Sequence, residues 1–156
     1  MSRRKKKISK SIKPDAVYRS TVVSMLISRV LLDGKRSLAQ RIVYSTLQII
    51  ETRTQEDPLQ VLEKALRHVT PIVEVKSRRI GGSIYQIPQE VKRSRGTTLA
   101  VKWLLQGAQS RNAFSFSEKL AQEIIDASQS LGSAIKKKEE IHRMAEANKA
   151  FAHFKS

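Results

Sequence analysis

Cysteine is absent from this 156-residue chain. That single absence removes a disulfide framework, a thiolate zinc site and a cysteine nucleophile. No apolar run approaches the ~20 residues that a membrane-spanning helix needs. Acidic residues are scarce, fourteen against thirty Lys and Arg, leaving a formal charge of +16. Such a surplus repels itself in the compact state and implies a polyanionic partner, nucleic acid ahead of an anionic membrane surface. Aromatic residues make up only 5%, too few for a stacking sheet of the RNA-recognition-motif kind. The only histidines are His68, His142 and His153. The last two are about three helical turns apart, too far to share a metal or act as a paired acid and base. His68, near a helix end, reads as a partner of the C-terminal dipole. Carboxylates lie among basic residues and read as surface ion pairs. With no catalytic or ligand constellation in sight, the expectation is a protein that is not an enzyme and holds no cofactor or metal.

The chain does have apolar residues, 40% of the total, and enough length to bury roughly two thirds of its surface. The expected fold is mainly α: one bundle of about six helices over residues 14–156, a protruding β-hairpin at about 72–88, and a basic arm over residues 1–13. The arm has only Ile8 and Ile12 to bury, so it should order only against a partner. A solubilising tail is the plainer alternative. Lys-rich and brief, the start is no secretory signal and reads as part of the mature protein.

Apolar spacing predicts helices near Ser20–Leu32, from Ser37 with a Ser37/Gln40 capping box, from Asp57-Pro58, over Thr97–Ala108, from Ser115 to Gly132, and over Ala134–Phe151. The Thr97–Ala108 helix, apolar on nearly every side, should be the central one. Around Gly81-Gly82 the period changes to alternation, a hairpin signal that Pro88 should close. A basic loop, Lys92 to Arg95, should follow.

Cations collect in separate regions. Gly34-Lys35-Arg36 resembles the end of a phosphate-binding loop, but Arg29 and Arg36 occupy places that need Gly and Ser or Thr, so only an outward basic turn remains. The hairpin tip, Arg79, Ile80, Gly81, Gly82 and Ser83, presents arginine beside a turn of little bulk, and Lys76 and Arg78 share one face. Lys136, Lys137 and Lys138 crowd the positive end of a helix dipole, an arrangement that a sequence tolerates more readily if it meets an anion. A helix-turn-helix reader would concentrate such charge on one helix. Spread around a bundle, it suits folded RNA read by shape. A DNA-binding regulator and an RNA-processing enzyme are the competing classes; neither a recognition helix nor a histidine pair or acidic metal site supports them.

From about Pro14 to Phe154 the chain resembles the small-subunit ribosomal protein seven family, bacterial and plastid branch. The resemblance rests on Leu31-Leu32-Asp33-Gly34-Lys35-Arg36 with Ile42-Val43-Tyr44, on Arg78-Arg79-Ile80-Gly81-Gly82 with Tyr85-Gln86-Ile87-Pro88, and on the ending His142-Arg143-Met144-Ala145-Glu146-Ala147-Asn148-Lys149-Ala150-Phe151-Ala152-His153-Phe154. The Lys-rich arm and the stretch Gly107 to Ala113 depart from it. The resemblance implies a primary binder of the 3′ major domain of small-subunit rRNA that nucleates head assembly. It also implies a hairpin tip near mRNA and the exit-site tRNA, and a C-terminal helix approaching the platform protein at the mRNA exit channel. Ribosomal proteins nine, thirteen and nineteen would be neighbours, with no membrane and no homo-oligomer. The residues expected at the rRNA are Arg3, Arg4, Lys5, Lys6, Lys7, Lys10, Lys13, Lys35, Arg36, Lys76, Arg78, Lys92, Arg93, Arg95, Lys136, Lys137, Lys138 and Arg143. The ending, in the manner of plastid members, points to the plastid stroma, with the bacterial cytoplasm as alternative.

Overall fold

The structure, a computed structural model, describes residues 12–154. Its elements run α1 (Thr21–Val30), α2 (Arg36–Thr54), α3 (Pro58–Val69), β1 (Val73–Ile80), β2 (Ser83–Glu90), α4 (Arg93–Gln109), α5 (Phe116–Ser128) and α6 (Ser133–Ala147), then a short 3-10 helix, Lys149–Phe154. The mainly helical bundle with one antiparallel hairpin agrees with the sequence reading.

Some helix starts follow from local chemistry. The Asp57 side chain accepts the Leu59 N–H at 3.0 Å and Pro58 opens α3, pairing a cap with the residue whose fixed φ suits a first turn. Ser115 Oγ accepts the Glu118 N–H at 3.2 Å at the head of α5. By contrast, the Ser37 capping box does not form. Asp33 (φ 51) and Gly34 (φ 73) turn the chain, and α2 begins at Arg36 without a side-chain cap.

Four further boundaries differ from expectation. The helix after the hairpin begins at Arg93, so the expected basic loop is mostly its first turn. Gly96 is buried inside that turn, where an added Cβ would lie 2.9 Å from Thr70 Cγ2. Close packing therefore selects it despite its poor helix propensity. Pro88 does not close the hairpin: β2 continues to Glu90, with Pro88 opposite Val75. In a two-stranded ribbon every strand has an open edge, and alternation from the two-residue turn puts Pro88 in a pair that exchanges no hydrogen bonds. Gly132 (φ 95) is the N-cap of α6, since α5 has already ended at Ser128. Finally, α6 stops at Ala147, where Asn148 Nδ2 donates to the Met144 carbonyl at 2.7 Å. That side-chain bond competes with helix continuation.

The central helix is α5, which packs against α2, α3, α4 and α6. Its Leu120, Ala121, Ile124 and Ala127 meet Val43, Leu47, Ile50, Leu62, Ala65, Val69 and Leu104 in one core. The expectation for α4 fails because α4 also faces the hairpin through Leu99 and Trp103. One acidic residue is part of this interior. Glu123 has no exposed surface; Arg111 Nε donates to its Oε2 at 2.6 Å and the Ala134 N–H to its Oε1 at 2.8 Å. The expectation that carboxylates form surface pairs fails here. Burial alone would lower the Arg111 pKa, but its hydrogen bonds to Glu123 and Asp126 outweigh that, and the net shift is upward.

Arg111→Ala strands this carboxylate and should destabilise the fold by about 3–5 kcal/mol in a urea titration. Trp103→Ala, at a ring only 6% exposed, should cost a similar ~3–5 kcal/mol. Surface-like losses below about 0.5 kcal/mol would contradict either placement.

Candidate nucleic-acid interface

The hairpin is built to carry charge outward. Gly81 (φ 55) and Gly82 (φ 91) both take the left-handed backbone that a tight two-residue turn requires. Lys76, Arg78 and Arg79 are exposed on β1. Beneath them Glu74 is buried, with Arg95 Nε at 2.8 Å from Oε2 and Lys76 Nζ at 3.3 Å from Oε1. Two of the expected rRNA-binding cations are thus anchored on one carboxylate, which ties the hairpin to the start of α4. At its base the hairpin is held by α6: the Ile72 N–H donates to His142 Nε2 at 3.3 Å. On the other strand Tyr85 meets Phe151 with ring centres 5.1 Å apart.

α6 brings its lysines to this side. Lys137 borders a groove of about 310 Å³ with Ser77 and Gln86 of the hairpin and Trp103 of α4, and pairs with Glu140 at 2.7 Å. Lys138 turns the other way, donating from Nζ to the His68 carbonyl at 2.6 Å. There it satisfies an orphan carbonyl at the negative end of α3. It also lines a groove of about 570 Å³ with Arg93 and Arg67. Arg67 was not expected from sequence: its spacing from Glu63 signals only an ion pair, seen at 3.7 Å, and its closeness to Arg93 is purely tertiary. Lys92, Lys136 and Arg143 are exposed.

The hairpin, the start of α4 and the lysines of α6 are therefore brought together. Lys35 and Arg36 belong elsewhere, since among the described residues α2 packs chiefly on α1, α3 and α5. Their neighbourhood is the base of the arm. Asp15 accepts the Val17 and Tyr18 N–H groups and the Tyr44 hydroxyl, the last at 2.9 Å. Burial and the bond to Asp15 raise the Tyr44 pKa, and the charge of Arg36 partly opposes this. Lys13 is exposed two residues before Asp15. Arg3, Arg4, Lys5, Lys6, Lys7 and Lys10, and the side chain of Ile80, lie outside the described residues.

His68 does not merely face its own helix dipole: Nδ1 lies 3.2 Å from the Ala127 carbonyl and 3.1 Å from Ser130 Oγ, linking α3 to the end of α5. Among the described residues, no group of three or more His, Asp or Glu side chains could hold a metal ion, and no helix is long and apolar enough to cross a membrane.

Residues 2–149 match the family described as ribosomal protein S7p/S5e. The chain is 53% identical over 155 residues to small ribosomal subunit protein uS7 of Acaryochloris marina, with 99% of both chains covered. It is 54% identical, at the same coverage, to uS7 of Gloeothece citriformis. It is 52% identical to small ribosomal subunit protein uS7c of Tupiella akineta, again over 99% of each.

Burial and the nearby Lys138 charge lower the His142 pKa from its ordinary 6.5, and its Nε2 must stay unprotonated to accept the Ile72 N–H. The unfolded chain then binds a proton that the folded chain resists. This contribution is therefore present above pH 6.5 and is lost as pH falls below it. In His142→Gln, urea stability should vary less steeply between about pH 5 and 7; an unaltered slope would show that His142 is not held neutral.

Proposed function

The chain belongs to the ribosomal protein S7p/S5e family, and from that premise we propose how it works as a structural, non-enzymatic constituent of the small ribosomal subunit. It binds the 3′ major domain of the small-subunit rRNA, nucleates assembly of the head, and presents its hairpin tip to mRNA and the exit-site tRNA. The observation that carries the RNA contact is the placement of α3, α4 and α6 cations around two grooves, one holding Arg67, Arg93 and Lys138 and the other Lys137 beside Ser77 and Gln86 of the hairpin. Phosphates that run along such grooves meet cations held at fixed spacing, so the contact reads shape before sequence. Lys13, Lys35 and Arg36 form a second basic area beside the anchored base of the arm.

Ribosomal proteins nine, thirteen and nineteen are the proposed neighbours in the head, and the C-terminal helix approaches the platform protein at the mRNA exit channel. The chain works as a single copy. Its proposed compartment is the plastid stroma, on the ending Ala150-Phe151-Ala152-His153-Phe154-Lys155, with the bacterial cytoplasm as the alternative.

The test is a salt titration of binding to a 3′ major domain rRNA fragment against an equally long unrelated folded RNA. The rRNA fragment should win by orders of magnitude with a steep salt slope. Equal binding to both would reduce the chain to a general polyanion binder. Arg79→Glu and Lys137→Glu should each weaken rRNA binding about tenfold, with thermal stability nearly unchanged because both residues are exposed. Loss of folding without loss of affinity in the folded fraction would remove that residue from the interface.

A further inference from the structure

Between α4 and α5 the chain crosses residues 110–115, and two of them are fixed. Arg111 is held by Glu123 and Asp126, and Ser115 caps α5. Between these anchors Asn112, Ala113 and Phe114 face solvent, and the Phe114 ring is fully exposed, at 102% of its reference area. Two residues later Phe116 packs against the core. A phenyl ring pinned outward between two structural anchors forgoes the burial that its neighbour obtains and contributes nothing to the fold.

The surroundings indicate what covers it. Beside the loop lies a groove of about 270 Å³ lined by Arg53, Arg111, Asn112, Glu118, Lys119 and Gln122. Arg53 Nη1 donates to Gln122 Oε1 at 2.9 Å, which steadies it across α2 and α5. Neither Arg53 nor Lys119 forms an ion pair among the described residues, while Arg111 is already neutralised. Glu118 is the one carboxylate that lines the groove, and it forms no ion pair among the described residues. An apolar protein surface seated here would bury these charges without partners. An unpaired nucleotide needs both things that the site offers, an aromatic face for its base and cations for its phosphates.

We propose that Phe114 is a stacking platform for an unpaired base of the rRNA, with Arg53 and Lys119 taking the flanking phosphates. This rests on the rRNA reading above and adds to it a contact on α2 and α5, which among the described residues pack chiefly on other helices.

The experiment uses the full chain and the same two RNAs, with Phe114→Ala, Phe114→Leu and Phe114→Trp. The Ala and Leu variants should bind the rRNA fragment about tenfold more weakly, with the salt slope and thermal midpoint of the unaltered chain. The Trp variant should restore affinity, and its exposed indole should be quenched on binding, whereas the native Trp103 is buried. Wild-type affinity in Phe114→Leu, or in Phe114→Ala, overturns the stacking role and leaves the rRNA function standing. Normal RNA affinity with loss only of incorporation into subunits would make the ring a protein contact and overturns it too. Failure of the unaltered chain to prefer the rRNA fragment overturns both readings.

Discussion

Glu123 sits without exposed surface where α4, α5 and α6 meet, a place where an uncompensated charge would cost several kcal/mol. Arg111 supplies the compensation from the end of α4, and the backbone of Ala134 supplies the rest from the start of α6. Room for the carboxylate is cleared by glycine. A Cβ at Gly107 would lie 2.6 Å from Glu123 Oε1, and one at Gly132 would lie 3.0 Å from it. Gly132 is constrained twice, since its φ of 95 also suits few other residues. The position of α6 follows from this knot, and with it the position of the lysines and the seat of the hairpin.

The same device recurs at smaller scale. Buried Glu74 ties the hairpin to α4 through Arg95 and Lys76, and buried Asp15 ties the base of the arm to α2 through Tyr44. In a chain with fourteen acids against thirty basic residues, three of the acids are withdrawn from the surface to orient the elements that carry cations. The surplus charge left outside is therefore held in place by the scarce charge inside.

This division explains what the sequence made legible. Asp57-Pro58, Ser115 and Gly81-Gly82 act within a few residues of themselves, so the elements they start or turn could be read locally. Gly96 carries no such local meaning, being selected by Thr70 and Pro71, and Gly132 is fixed by Glu123 as well as by its own φ. Periodicity sees apolar faces, so it favoured the almost continuously apolar α4 as the centre and passed over α5, whose interior includes a carboxylate. At the interface, the cation runs were visible as runs. What each cation touches was not, because Lys138 meets α3 and Arg95 meets β1 across 70 and 21 residues of sequence.

The lysine run on α6 shows why that distinction matters for function. From sequence, three cations near a helix start oppose the dipole, and that cost itself argued for an anionic partner. In the fold the cost is largely met from within. Glu123 places a negative charge against the α6 N-terminus through the Ala134 N–H, Lys138 is spent on the His68 carbonyl at the end of α3, and Lys137 has Glu140. A run whose charge is internally compensated is weak evidence of a ligand by itself. The stronger evidence is where the compensated side chains stand: Lys137 beside the hairpin, and Lys138 across a groove from Arg93 and Arg67. Each held cation loses little further side-chain freedom on binding. The knot that stabilises the fold thus also fixes in advance the charge pattern that a folded RNA has to match.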